Sequence, residues 1–378
     1  MYDHLTESQL EFQKKIRQFV YSEIAPVAGD HDINGSISRD LINKIAGQGY
    51  LGSMIKKEYA GTGYDNLSIA LLNEEIGKAC SSVRALLTVH GMVALAIMRW
   101  GSKEQQQKYL PKLAQGVLIG AFALTEPNAG SDTKSIETIL EKKSNKLYLN
   151  GKKKWITMGQ IADVFLVICQ YENKPTAVLI DKNEQNFSVN PIKGLMGCRG
   201  SMIAELVFED YYVKEDQIIG RQGMGMSHVA LNSLDYGRFT IACGCVGLAQ
   251  ACLEACLSYT RQRKQFGEPI RTYQLVQKMI TGMVVNVKAA RLLCHNAARL
   301  RDEHDPNSIV EIWAAKYFCA KMATEVAADA VQIHGANGCI NQSPVERFYR
   351  DAKINEIIEG TNEMHERLIA LNSYRRTY

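Results

Sequence analysis

The hydrophobic positions divide the chain into three consecutive parts. In the first part apolar residues recur three and four positions apart, which is typical of helices that bury one face. Two runs show this spacing, Leu10, Phe12, Ile16, Phe19 and Val20 and, further on, Ile69, Leu72, Ile76 and Ala79. A turn at Gly61 and Gly63 separates them. Residues 1–118 are therefore predicted to form a helical domain.

The pattern changes in residues 119–228 to short apolar or alternating runs, which are typical of strands. The predicted strands cover residues 119–124, 147–156, 164–169, 176–180 and 204–208. Polar, turn-rich segments separate these runs, and no helical pattern lies between them. Strands in this arrangement favour an antiparallel barrel or sandwich over a parallel sheet.

From residue 229 to residue 378 the helical spacing returns. One long run presents a face of small residues that lets a second helix approach closely. This face consists of Ala242, Cys245, Ala249, Cys252 and Cys256. Residues 309–333 are apolar on more than one face, so burial on several sides is expected, in part by another subunit.

Composition narrows the class of protein. A net charge of +4 with 22% charged residues does not indicate nucleic-acid binding, although an anionic partner would suit the mildly basic surface. No stretch reaches the roughly 18 uncharged apolar residues of a membrane span, and the first 13 residues lack a signal-peptide pattern. The ten cysteines show neither CxxC nor paired zinc spacing. We therefore expect a cytoplasmic protein with reduced, buried thiols and no metal site.

The glycines do not predict a Rossmann-type nucleotide site. Such a site needs GxGxxG between a strand and a helix. The clusters Gly61/Gly63 and Gly220/Gly223/Gly225 lack both that spacing and those flanking elements. A bound dinucleotide would need a different architecture.

Two motifs leave predicted strands. Residues 122–132, FALTEPNAGSD, combine backbone N–H groups with the hydroxyls of Thr125 and Ser131, and these suit the polar edge of an aromatic cofactor. Trp155 and Thr157 are two apart, so on a strand they would share one face, with an indole for stacking beside a hydroxyl. From these residues alone, an ordinary strand exit and a core tryptophan are the better interpretations.

Three further motifs lie in the helical part. Arg263 can contact a phosphate through two N–H groups, although a surface arginine is as good an interpretation. Residues 332–338, QIHGANG, indicate first a helix end, with His334 packed. Glu359 lies between two isoleucines and Gly360, so its carboxyl should be partly desolvated. Desolvation raises a carboxyl pKa, which suits a base, but a lone glutamate beside apolar residues is common.

Together, and in this order, the five motifs resemble those of the acyl-CoA dehydrogenase family over essentially the whole chain. The resemblance implies an α+β multidomain fold with an N-terminal helical domain (1–118), a central antiparallel β-barrel domain (119–228) and a C-terminal four-helix bundle (229–378). It also implies one FAD per subunit, an acyl thioester substrate carried by CoA or an acyl carrier protein, and a homodimer or homotetramer. The electron acceptor would be another flavoprotein or oxygen. Neither nucleic acid nor a membrane would be a partner.

The resemblance assigns roles residue by residue. Glu359 corresponds to the catalytic base, and Ser131, Asp235 and Arg238 to substrate-side positions. Residues matching FAD contacts are Phe122, Leu124, Thr125, Ser131, Trp155, Thr157, Arg263, Phe266, Gln274, Gln332, Gly335, Thr361 and Glu363. Arg263, Phe266 and Gln274 match positions that reach the FAD of a neighbouring subunit.

Some relatives place the base directly before the arginine that matches Arg238. Here that residue is Gly237, which leaves Glu359. The sequence departs from the family motifs at two positions. Ala336 stands where a second glycine is usual, and its methyl group would crowd the adenosine. Met158 stands where a polar residue is usual.

A narrower resemblance concerns segments 80–84, CSSVR, and 349–359, YRDAKINEIIE. They look like a branch that acts on carrier-protein-bound precursors of hydroxymalonyl, methoxymalonyl or aminomalonyl units for polyketide synthesis. Short-chain acyl-CoA dehydrogenation in fatty-acid or amino-acid catabolism is the first alternative. A flavin oxidase or monooxygenase is the second, and a non-catalytic protein that keeps the fold is the third.

Overall fold

The computed structural model describes residues 5–182 and 186–374. Residues 1–4, 183–185 and 375–378 lie outside these ranges. They include the start of the segment considered for a signal peptide and the outermost residues of the first and last predicted domains. The described chain runs from helices through strands back to helices.

Four of the six N-terminal helices begin at a polar side chain that caps them. The side chain of Thr6 accepts a hydrogen bond from the backbone N–H of Gln9 in a capping box, and that of Asp65 accepts one from the N–H of Ser68. The helices are α1 (Glu7–Phe19), α2 (Ala28–Asn34), α3 (Arg39–Gly47), α4 (Asn66–Ala79), α5 (Ser81–Trp100) and α6 (Lys103–Ala114).

All five predicted strands are present, with ends that differ by a few residues. The strands are β1 (Gly120–Ala123), β2 (Ile139–Lys143), β3 (Lys146–Ile156), β4 (Val164–Tyr171), β5 (Lys174–Asp181), β6 (Phe187–Pro191), β7 (Ala204–Val213) and β8 (Ile218–Ile219). The pattern missed β2, β6 and β8, which are short and largely polar or flanked by turns.

The expectation of a closed antiparallel barrel was wrong. The strands form one sheet in the order β6-β7-β3-β2-β4-β5-β8, with β1 beside β4, and within the described residues β6 and β8 are not paired with each other. Two pairs, β1 with β4 and β2 with β4, are parallel. Helices cover part of the sheet, so it need not close on itself to bury its apolar faces.

Strand β4 contributes to two cores. Its six residues from Val164 to Cys169 are buried. Phe165, Val167 and Cys169 pack inside the sheet domain, whereas the alternate residues pack on the core shared with the helices. Alternation along a strand explains this division, because successive side chains point to opposite faces.

The C-terminal part is helical and has a two-stranded hairpin after its first helix. Its elements are α7 (Leu231–Gln262), β9 (Lys264–Gln265), β10 (Glu268–Pro269), α8 (Gln274–Asp302), α9 (Ser308–His334), α10 (Pro344–Ile357) and α11 (Asn362–Ser373). A Cβ atom on Gly247 would lie 1.9 Å from the carbonyl oxygen of Glu74. Helices α4 and α7 therefore approach closely at Gly247, which lies on the side of α7 opposite to the predicted small-residue face.

Two helical stretches are long and apolar enough to cross a membrane by length and composition, Ser81–Trp100 and Gly225–Gln262. The expectation that no stretch of the chain approaches this limit was wrong. Most of each stretch is buried inside the protein. The protein core accounts for their apolar character.

A buried ion pair ties the end of β1 to β3. Nζ of Lys153 lies 2.6 Å from Oε1 of Glu126, and neither side chain is more than 2% exposed. The same ammonium donates to the carbonyl of Leu124 at 2.9 Å, and Glu126 also accepts from the backbone N–H of Thr138. These bonds hold the two segments that carry Thr125 and Trp155.

Replacing Lys153 by Met should lower the free energy of unfolding by about 3–5 kcal/mol, because it leaves the Glu126 carboxylate buried without its cation. Urea denaturation would measure the change. The matched control is Lys152→Met, since Lys152 is exposed and its loss should cost little. Equal stability of the two variants would contradict the structural role of the pair.

Candidate active site

Glu359 lies in the short connection between α10 and α11. Its φ is +56° and that of Gly360 is +99°, so two successive residues are left-handed. Thr361 then caps α11 by accepting a hydrogen bond from the N–H of Met364. A left-handed glutamate costs on the order of 1–3 kcal/mol, and such a conformation persists only where its surroundings impose it.

Two buried cations hold this connection through its carbonyl groups. Nε of Arg238 donates to the carbonyl of Glu359 at 3.0 Å, and Nζ of Lys316 donates to that of Gly360 at 2.6 Å. Lys316 also lies 3.4 Å from the carbonyl of Glu356, near the end of α10. Sequence reasoning missed Lys316, although a lysine inside a stretch apolar on several faces was a signal.

The carboxyl of Glu359 occupies the place that the missing side chain of Gly237 leaves. Oε2 is shut off from solvent and has no hydrogen-bond partner among the described residues. A Cβ atom on Gly237 would lie 2.7 Å from this oxygen and 3.1 Å from Sδ of Met92. Side chains at positions 237 and 359 would therefore reach the same place, so a carboxylate there could come from either position.

Burial determines the acidity of this group. Desolvation raises the pKa of Glu359 to about 7, and the positive charges of Arg238, Lys316 and Arg84 offset part of the rise. Burial also lowers the pKa of Lys316 to about 8. A carboxyl with a pKa near 7 both exists as a carboxylate at neutral pH and accepts a proton readily.

Asp235 and Arg238 form a pair of their own. Nη1 of Arg238 donates to Oδ1 of Asp235 at 2.8 Å, and Nε1 of Trp313 donates to the same oxygen at 3.1 Å. Because one edge of the guanidinium holds Asp235 and Nε holds the Glu359 carbonyl, Arg238 fixes the backbone beside the carboxyl. Asp235 acts on the site through Arg238.

The strand-end motifs meet beside each other. The backbone N–H of Lys154 donates to the carbonyl of Thr125 at 2.8 Å, so the segments of Thr125 and Trp155 are adjacent. Phe122 and Leu124 are buried in the same core cluster as Met92, which borders the Glu359 carboxyl. Ser131 is exposed on the loop after β1.

The argument that Trp155 and Thr157 share a face of a strand was wrong. The register of β3 against β7 shifts between Lys153 and Ile156, and Trp155 has a φ of +64°. Thr157 lies in the turn after β3. A bulge rather than strand alternation therefore directs the indole outward, where it is 52% exposed.

The remaining predicted contacts lie elsewhere on the C-terminal helices. Arg263, Phe266 and Gln274 are exposed at the turn between α7 and α8, and Phe266 is 97% exposed. Gln332 and Gly335 lie at the end of α9, which is joined to α7 where His334 stacks on Tyr259 at 4.3 Å. His334 is packed, as predicted. Five of these residues lie at one end of the helical domain and are called here the distal group: Arg263, Phe266, Gln274, Gln332 and Gly335.

The distal group cannot serve the space in front of Glu359 in the same subunit. From Gly237 to Arg263 the chain is almost entirely helix α7, which spans about 39 Å at 1.5 Å per residue. Thr361 and Glu363, by contrast, stay with Glu359, at the cap and in the first turn of α11. Ala336, the departure from the family motif, is exposed.

Models of the acyl-CoA dehydrogenase family match almost the whole chain. The N-terminal domain matches residues 6–117, the middle domain 121–211 and the C-terminal domain 223–373. An acyl-CoA dehydrogenase of Bacillus subtilis is 37% identical over 97% of this chain and 98% of its own length. The short-chain-specific acyl-CoA dehydrogenase of Clostridium acetobutylicum is 35% identical over 98% and 99%.

The chain belongs to the acyl-CoA dehydrogenase family. It is an oxidoreductase that acts on acyl thioesters, and FAD is its cofactor. Butyryl-CoA dehydrogenase from Megasphaera elsdenii superimposes with a TM-score of 0.94 at 33% identity over 98% of this chain and 99% of that one. A glutaryl-CoA dehydrogenase from Mycobacterium smegmatis in complex with FADH2 gives 0.94 at 27% identity over 99% and 96%.

Two further solved structures superimpose closely on this chain. A chain from work on the electron transferring flavoprotein of Acidaminococcus fermentans has a TM-score of 0.95 at 35% identity, over 98% of this chain and 99% of that one. The prolyl acyl carrier protein oxidase AnaB has a TM-score of 0.93 at 28% identity, over 98% and 99%.

The residues present fit FAD. Trp155 offers a half-exposed indole for stacking. Thr125, on the adjacent segment, and Thr157, two residues after Trp155, each carry a hydroxyl group. Phe122 and Leu124 supply an apolar wall.

The Gly237→Ala variant should lose about 10²-fold in kcat, because the new methyl group displaces the Glu359 carboxyl and a misplacement of about 1 Å has that effect. Stopped-flow flavin reduction would measure it, with FAD content as a check on folding. Gly282→Ala is the control, since a Cβ there meets nothing within 4 Å. Full activity of Gly237→Ala would show that the carboxyl position is unimportant.

The pH dependence of kcat/KM should show an acidic limb near pH 7, because Glu359 must be ionised to act as a base and its pKa is raised to about 7. Lys316→Met removes a positive charge that favours the carboxylate, so the limb should move to higher pH. Lys316→Arg keeps the charge and should leave the limb near its original position. If the acidic limb of Lys316→Met stayed at the wild-type pH, Lys316 would have no electrostatic effect on the Glu359 carboxyl.

Proposed function

We propose that the chain oxidises a short acyl thioester between its α and β carbons, with Glu359 taking the α-proton. The observation that supports this most directly is the buried Oε2 of Glu359, which has no partner in the described residues and faces the space beside Gly237. A fully satisfied carboxylate would have to break a hydrogen bond before it could accept a proton. This one is available.

The protein also has to make the α-proton acidic. The backbone N–H of Glu359 has no acceptor among the described residues, so it is available to the thioester carbonyl. A fixed N–H donor in a desolvated site stabilises the developing negative charge by a few kcal/mol. FAD, when bound, supplies the acceptor for the β-hydride.

The left-handed turn keeps donor and base together. Because Glu359 carries both the carboxyl and the free N–H, the bonds from Arg238 and Lys316 to this turn position both groups at once. The substrate is thus aligned by one residue whose backbone the protein holds rigid.

Coenzyme A thioesters are the first substrates to consider. The curated relatives described above are acyl-CoA dehydrogenases, one of them specific for short chains. They favour short-chain acyl-CoA oxidation in catabolism, the first alternative in the sequence analysis, at least as well as the carrier-protein branch. Similarity to a chain studied with an electron transferring flavoprotein supports such a protein as the acceptor.

A carrier-protein thioester is the second candidate. Its support is the fold similarity to a prolyl acyl carrier protein oxidase, together with segments 80–84 and 349–359. In this case the acyl group would be a precursor of a hydroxymalonyl or aminomalonyl unit for polyketide synthesis, and oxygen would be a second possible acceptor.

We further propose a cytoplasmic homodimer or homotetramer. The distal group is too far from Glu359 to serve the same cofactor, and it suits the FAD of another copy. Apolar side chains on α8 also face outward, with Leu275 76%, Val285 57% and Leu292 62% exposed. A contact between copies would cover them.

Replacing Glu359 by Gln should lower the rate of anaerobic flavin reduction at least about 10²-fold while FAD stays bound, because an amide cannot take the α-proton. The assay would use butyryl-CoA and, in parallel, seryl- and glyceryl-loaded carrier proteins. The matched control is Glu356→Gln, one turn earlier on α10. Equal reduction rates in wild type and Glu359→Gln would refute the proposed base.

Thermal stability distinguishes loss of the base in the Glu359→Gln variant from misfolding of that variant. The pKa of Glu359 is raised to about 7 from 4.5, so the folded state holds this proton more tightly than the unfolded chain does. The resulting stabilisation is complete below pH 4.5 and is lost as pH rises through 7. At pH 8 the Gln variant should therefore be at least as stable as wild type by thermal unfolding.

A further inference from the structure

Three thiols meet in the interior of the helical domain. Cys243 lies on α7, Cys294 on α8 and Cys319 on α9, and each is at most 2% exposed. Sγ of Cys294 is 3.6 Å from Sγ of Cys319, and the thiol of Cys243 also forms a hydrogen bond with Cys294. The sequence predicted buried thiols but not this cluster, because its members come from three different helices.

Cys294 is the central member of the cluster. Hydrogen bonds from the thiols of Cys243 and Cys319 lower the pKa of Cys294. Desolvation opposes this effect, and the positive charge of Arg291, three residues earlier on α8, adds to it. Burial raises the pKa of the other two thiols. Cys294 therefore loses its proton most easily, and the thiolate is the form of cysteine that attacks an oxidant.

The cluster favours a disulfide over a metal ion. Within the ranges that the structure describes, no group of three or more His, Cys, Asp or Glu side chains is arranged to hold a metal. Two sulfur atoms 3.6 Å apart need to approach by only about 1.5 Å to reach the length of a disulfide bond. Cys294 and Cys319 lie on the packed helices α8 and α9, so a small movement of these helices would close the bond.

Helix α9 connects the cluster with the active site. Lys316, which donates to the carbonyl of Gly360, lies three residues before Cys319 on this helix. Residues three apart on a helix share one face. A displacement of α9 at Cys319 therefore also moves Lys316, and with it the turn that carries Glu359.

We propose that Cys294 and Cys319 are a peroxide-sensitive pair, and that their disulfide slows the reaction at Glu359. The thiolate of Cys294 attacks one oxygen of hydrogen peroxide, the other oxygen leaves as hydroxide, and the sulfur becomes a sulfenic acid. The thiol of Cys319 then attacks this sulfur and the hydroxyl group leaves as water. Two thiols and one peroxide thus give one disulfide and two waters, with sulfur oxidised and peroxide reduced.

Burial of the cluster determines which oxidants can reach it. Hydrogen peroxide is neutral and little larger than water, so local opening of the helices is enough to admit it. Bulky or charged thiol reagents need a larger opening. The inference goes beyond the proposed function, because the pair would form its disulfide whichever thioester is the substrate.

The holoenzyme would be treated with hydrogen peroxide, freed of the excess, and then unfolded with iodoacetamide to block the remaining thiols. Mass spectrometry of the digest should find peptides joined through Cys294 and Cys319, and the intact mass should fall by about 2 Da. The rate of anaerobic flavin reduction by butyryl-CoA should fall at least about 10-fold, because a misplacement of about 1 Å at the base has a large effect. Dithiothreitol should restore the rate.

Cys319→Ser should keep its rate after the same treatment, which separates the disulfide from oxidation of Met92 beside the base. Cys319→Ala replaces this variant if serine is not tolerated. The matched control is Cys169→Ser, which removes a buried thiol from the sheet domain and should respond to peroxide as wild type does. Absence of a bond between Cys294 and Cys319 in treated wild type, or a bond without loss of rate, would overturn the inference.

Discussion

The chemistry proposed for this protein depends on one carboxyl oxygen, Oε2 of Glu359, that is kept from water and from hydrogen bonds at the same time. Most buried polar groups are satisfied, because each unsatisfied one costs free energy. Glu359 is an exception, and its surroundings compensate through the backbone. Arg238 and Lys316 bond the carbonyls of its turn and leave Oε2 without a partner among the described residues. Two positive charges next to the turn keep ionisation possible.

The helices around this turn could not pack in this way with ordinary side chains. Gly237 leaves the space that the carboxyl occupies, and Gly244 and Gly247 let α7 lie against Arg84 and α4. Three glycines in one long helix lower its intrinsic helix propensity by roughly 1 kcal/mol each relative to alanine. Tertiary packing over 32 residues compensates for that loss. The lack of side chains at these glycines is therefore as important for the site as the side chains that line it.

Periodicity predicted the order of helices and strands and the strands that carry the motifs, because burial imposes a period of 3.6 or 2 on most elements. It did not predict how the sheet is arranged, since strand order depends on contacts between distant segments. It also failed at Trp155, where a bulge replaces the alternation on which the argument relied. Arg238 and Glu359 were found from motifs, whereas Lys316 and Met92 were not, because their roles depend on which helices lie against the turn.

Strand β4 has a mechanical consequence. Since alternate residues of this one strand belong to two different cores, a displacement of β4 disturbs the packing on both sides of it. The sheet cannot shift against the helices as a separate layer without opening both interiors. The wall formed by β1, which pairs with β4, is therefore tied to both cores, and a shift of this wall would disturb the packing of each.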